Sequence, residues 1–138
     1  MVDDIDKKIL QELKDNARIS FANLAREINL SPSAVRERVQ KMEDLGVIQN
    51  YVVQTDNKML GYDLEAFILI KVFPGKLKHV IQSITEFPEI TEAHRITGNQ
   101  NIHLKVLIKD QIHLQKLLDQ LMDFGDTNTF LILTRIGD

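Results

Sequence analysis

In the first half of the chain, apolar residues recur with the spacing of short helices. Ile5, Ile9 and Leu13 stand four residues apart, and Asp3 or Asp4 can cap the helix they define. Ser20 is a good N-cap for a second helix, whose Phe21, Leu24, Ala25 and Ile28 fall on one stripe. Asn29-Leu30 interrupts that pattern. Ser31-Pro32 then opens a third helix, with proline at the first helical position, where its missing N–H costs nothing. Val35, Val39 and Met42 form the stripe of that helix, and Gly46 ends it. Helices this short cannot each bury much surface, so the pattern predicts that the three share one small core.

Beyond Gly46 the pattern changes. The run Val47 to Val53 is rich in β-branched residues and is expected to be an extended strand or linker, and residues 56–61 a turn. The remainder predicts strand 64–73, helix 76–87, strands 91–97 and 102–108, helix 111–122 and strand 128–136. The helices carry the stripes Leu77, Val80, Ile81, Ile84 and Leu114, Leu117, Leu118, Leu121. A βαββαβ order is the ferredoxin-like arrangement, two helices on one face of an antiparallel sheet. The fold class is therefore α+β. Residues 1–50 form a helix-turn-helix domain of winged-helix-like type, 51–60 a linker strand and turn, and 61–138 a ferredoxin-like domain. Strands 64–73 and 128–136 are apolar on both faces, for Ala66, Ile68 and Ile70 alternate with Phe67 and Leu69. A sheet apolar on both sides needs a second cover, which predicts self-association.

Composition narrows the function. With 43% hydrophobic and 27% charged residues, the 138-residue chain reads as a soluble globular protein. Its longest apolar runs, such as Ala66 to Ile70, are far too short to span a membrane, and the acidic Asp3, Asp4 and Asp6 are unlike a secretory leader. A cytoplasmic, nucleoid-associated protein is expected. The absence of cysteine excludes disulfides, thiol catalysis and Cys-ligated zinc. A net charge of −3 argues against nucleic acid only if charge is spread evenly, and basic residues gather between Arg36 and Lys41. At about 100° per residue, with Val35, Val39 and Met42 inward, the outward arc of that helix holds Ser33, Glu37, Gln40 and Lys41, with Ala34 and Arg36 at its edges. Arg and Lys can donate to guanine or phosphate, Gln can address adenine, and Glu can accept from cytosine. Arg38 falls near the buried stripe, so an internal ion pair and a DNA contact are both open to it.

The stretch Asp3 to Tyr51 resembles the leucine-responsive regulator/AsnC family of prokaryotic transcription factors. The likeness rests on Asp6…Ile9-Leu10, Asp15-Asn16-Ala17-Arg18, Leu24-Ala25, Leu30-Ser31-Pro32-Ser33, Val35…Arg38-Val39, Met42-Glu43 and Gly46-Val47-Ile48. Residues 60–136 resemble the same family's ligand-binding domain through Leu60-Gly61, Pro88-Glu89-Ile90 and Thr97-Gly98. The resemblance implies a sequence-specific, non-enzymatic DNA-binding regulator that acts on double-stranded DNA as a dimer, tetramer or octamer. It implies a major-groove face of Ser31, Ser33, Ala34, Arg36, Glu37 and Lys41, to which Arg38 and Gln40 are added as candidates. It also places a small-molecule effector, such as an amino acid or another small carboxylate, at Thr97, Gly98, Asn99, Gln100 and Asn101. Here the chain departs from the family, which commonly sets an acidic residue shortly after that glycine. The effector is different, or another residue meets its ammonium group, or there is none. An architectural DNA-wrapping protein without an effector is the alternative.

Other chemistry finds little support. No phosphate loop, nucleophile elbow or catalytic cluster is present, and no cofactor or metal is expected. His79 and His113 lie on separate helices. A hairpin turning at Asn99-Gln100 would pair His103 with Ile96 and leave His94 a diagonal step away.

Overall fold

A computed structural model describes residues 1–137. The chain forms two compact units, Met1–Gln54 and the segment from Thr55 onward. The first unit contains α1 (Asp4–Asp15), α2 (Phe21–Ile28) and α3 (Pro32–Asp44). Each begins where a side chain satisfies free backbone N–H groups. Asp3 accepts from the Asp6 N–H and Asp6 from the Asp3 N–H, a reciprocal capping box, while Ser20 caps α2 and Ser31 caps α3. Asn29 ends α2 in the left-handed region at φ 57°, which turns the chain into α3. Ile9, Leu24, Ala25, Val35, Val39 and Met42 form the shared core. The run 47–53, expected to be an extended strand or linker, forms no strand.

The second unit contains β1 (Leu64–Val72), α4 (Leu77–Ile84), β2 (Ile90–Arg95), β3 (Ile102–Ile108), α5 (Gln111–Leu121) and β4 (Gly125–Leu131). The strands make one antiparallel sheet in the order β2-β3-β1-β4. This is the ferredoxin-like arrangement. Ala66, Ile68 and Ile70 of β1 stand opposite Val106, Leu104 and Ile102 of β3, all buried beneath Val80, Ile84, Leu117 and Leu121 of the two helices. The alternate residues face the other way. Phe67, Leu69 and Leu107 are half-buried there, and Phe130, opposite Phe67, is exposed.

Two expectations are corrected. The last strand runs over Gly125–Leu131 and not 128–136; of its inward positions, Gly125, Thr127 and Thr129 carry little apolar signal, and Leu131, opposite Ala66, is exposed. Gly125 is required by the close approach of β1, since a Cβ there would meet the Lys71 carbonyl oxygen at 2.1 Å. The apolar Leu133 and Ile136 that suggested a later strand are almost fully exposed. The β2–β3 hairpin is also offset from the expected register. His94 pairs directly with His103, and Ile96 donates its N–H to the Asn101 carbonyl oxygen. The connection from Ile96 to Asn101 is irregular, with Gly98 at φ 115°, and is not a two-residue turn.

Candidate nucleic-acid interface and effector loop

The packing of α3 fixes which of its side chains meet solvent. With Val35, Val39 and Met42 buried, Ser33, Arg36, Glu37, Gln40 and Lys41 are exposed together, and Ala34 is half-buried at the edge. With Pro32, Asp44 and Leu45 they line a shallow depression of about 760 Å³. Ser31 lies at the end of this surface. Its Oγ accepts from the Ala34 N–H at 3.1 Å and lies 3.2 Å from the Ser33 hydroxyl.

Two members of the arc are held from behind. The Arg36 guanidinium lies 5.2 Å from the centre of the Phe21 ring, a cation–π contact that steadies its stem without consuming its donors. Gln40 donates through Nε2 to Asp44 Oδ1 at 3.0 Å, which orients its amide and leaves its oxygen available as an acceptor. Among the described residues, Lys41 and Glu37 have no such support.

Arg38 is engaged elsewhere. Its Nη1 donates to Asp3 Oδ2 at 2.8 Å and to Asp6 Oδ1 at 3.0 Å, which ties α3 to the cap of α1. The hydrogen bond from Arg38, aided by the Asp6 N–H and the positive charge of Arg38, holds the Asp3 carboxyl at about 2. Of the two roles open to Arg38, the structure displays the internal ion pair.

The segment Thr97 to Asn101 divides in the same way. Thr97, Gly98 and Asn99 are exposed and Gln100 is half-buried. Asn101 is a structural element: its N–H donates to the Ile70 carbonyl at 3.0 Å, and its Oδ1 accepts from the Val72 N–H at 3.0 Å. It ties the start of β3 to the end of β1, so its amide nitrogen and one lone pair of Oδ1 remain for another partner. Phe21, Asp44 and Asp3 were not marked as site residues by the sequence. Their roles arise from tertiary neighbours, and only Asp44, four residues after Gln40, lay within reach of a spacing argument.

Comparison with known proteins identifies related chains for both units. Residues 2–49 match the family described as winged helix-turn-helix DNA-binding, and residues 65–138 match the Lrp/AsnC ligand binding domain. The HTH-type transcriptional regulator FL11 of Pyrococcus furiosus is 32% identical over 136 residues, covering 96% of this chain and 90% of that protein. The structure of Bacillus subtilis LrpC superposes with a TM-score of 0.92 at 29% identity, covering 99% of this chain and 98% of the other. The transcriptional regulator NMB0573 of Neisseria meningitidis, solved as a complex with L-Met, has a TM-score of 0.92 at 26% identity over 100% of this chain and 94% of its own.

Proposed function

The chain belongs to the Lrp/AsnC family of transcriptional regulators, and from that premise we propose that it reads operator DNA through the outward arc of α3. Arg36, Glu37, Gln40 and Lys41 address base edges and phosphates, with Ser31, Ser33 and Ala34 at the end that approaches the backbone. The observation that carries this reading is the exposure of those side chains on one surface of a capped helix, with Arg36 held against Phe21. Arg38 is assigned a supporting role through Asp3 and Asp6.

A helix-turn-helix protein gains affinity and specificity by presenting two reading helices to two half-sites. The outer face of the sheet, with Phe67, Leu69, Leu107 and Phe130, supplies a surface on which a second copy would bury apolar area. The protein thus acts as a dimer or a higher assembly of dimers. The effector is a small carboxylate, an amino acid among the candidates, met by backbone N–H groups around Gly98 and by Thr97 and Asn99. The L-Met complex of the similar regulator supports an amino acid.

The test is a salt titration of operator binding by wild type, Arg36→Ala and Lys41→Ala. A base contact costs about 1–3 kcal/mol at one position of the site, whereas a phosphate contact weakens all sequences and lowers the salt slope by about 1. Wild-type affinity in both variants across the titration refutes the assigned face.

A further inference from the structure

The observed register of the β2–β3 hairpin sets His94 directly opposite His103. The flanking pairs, Ala93 with Leu104 and Arg95 with Ile102, decide which face the two imidazoles share. Ile102 and Leu104 are buried beneath the helices, so both histidines project from the outer face of the sheet. Directly opposed side chains have Cβ atoms about 4.5–5.5 Å apart. That span allows two imidazoles to converge on one ion at the usual N–metal distance of about 2.0–2.1 Å.

Three further features suit the pair to that task. The His103 ring lies 5.1 Å from the Phe67 ring, tilted at 41°, which limits its rotamers before any ion arrives. The second strand is at the edge of the sheet and His94 is exposed, so an ion reaches the pair from the rim even when the centre of the face is covered. Glu92 and Lys105 stand opposite each other one step along the same face, so the formal charge beside the imidazole pair is balanced and does not by itself repel a cation. Among the described residues no group of three or more histidines, cysteines or carboxylates converges on one point. The pair therefore offers two protein ligands and leaves the remaining positions to water.

We propose that His94 and His103 chelate a divalent transition-metal ion of the imidazole-preferring class, Cu²⁺, Ni²⁺ or Zn²⁺. Carboxylate- and carbonyl-seeking ions such as Mg²⁺ and Ca²⁺ find no ligand set here. Binding is reversible and places positive charge beside Phe67 and Leu69, on the face proposed for self-association. The ligand geometry itself does not depend on the DNA-reading assignment.

The experiment is calorimetric titration of the untagged, full-length, metal-free protein with Ni²⁺ alone, for wild type, His94→Gln, His103→Gln and His79→Gln. Loss of even a supporting partner typically costs about 10–100-fold in metal affinity. Each of the first two variants therefore loses at least about tenfold, while His79→Gln binds as wild type. As a readout on unaltered protein, Ni²⁺ broadens the imidazole resonances of His94 and His103 before those of His79 and His113. Unchanged binding in His94→Gln, equal loss in His79→Gln, no binding by wild type, or uniform broadening of all the histidines each overturns the proposal.

Discussion

Asp3 illustrates how one side chain serves two structures. It caps α1, and it accepts from Arg38 of α3. Its carboxyl is held at about 2, below its ordinary 3.8, first by the Arg38 hydrogen bond and then by the Asp6 N–H. A depressed carboxyl favours the folded state above the ordinary value and loses that contribution as pH falls through the folded one. Thermal stability of the full chain should therefore decline between about pH 4 and pH 2, and Asp3→Asn should flatten the decline. The pair is half-exposed and screened by water, so the effect is modest. A pH–melting profile of Asp3→Asn that retraces wild type contradicts this role. Gly125→Ala gives a sharper outcome. Its Cβ would lie 2.1 Å from the Lys71 oxygen, so β4 must shift, at a cost of about 1–3 kcal/mol in urea denaturation. A neutral substitution would mean that the sheet edge yields freely.

At the scale of elements, Ser20 tests whether local capping holds α2 in place. Its Oγ accepts from the Asn23 N–H at 3.1 Å. Ser20→Ala should destabilise the chain by about 1 kcal/mol and Ser20→Gly by only a few tenths, read from chemical denaturation. Equal losses would point to a role other than the cap. Such caps explain why the first unit was legible from sequence: Asp3, Ser20 and Ser31-Pro32 are local signals, and the stripe of α3 fixed its outward arc. The strand β4 was not legible to the same extent. Its inward residues are glycine and threonine up to the exposed Leu131, and pairing with β1 replaces the missing apolar pattern. The hairpin register escaped because the Ile96–Asn101 connection is irregular, so no simple turn type set it. The partners of Arg36 and Arg38 escaped because Phe21, Asp3 and Asp6 are distant in sequence and adjacent only in the fold.

At the scale of the whole molecule, the proposed function depends on bringing two copies of α3 together. Burying a phenylalanine contributes about 1.5–3 kcal/mol, and a charge in its place opposes association further. Phe67→Asp combined with Phe130→Asp should weaken self-association by at least about tenfold in sedimentation while leaving the helix-covered core intact. Undiminished assembly would place the interface elsewhere. The central claim, sequence reading by the outward arc of α3, is tested most directly by selecting bound DNA from a random pool with wild type, Arg36→Ala and Lys41→Ala. Wild type should enrich a two-fold symmetric motif with half-sites about 34 Å or a multiple apart, and at least one variant should lose preference at a defined position in each half-site. Enrichment of the same motif to the same degree by both variants, or of no motif by wild type, would contradict it.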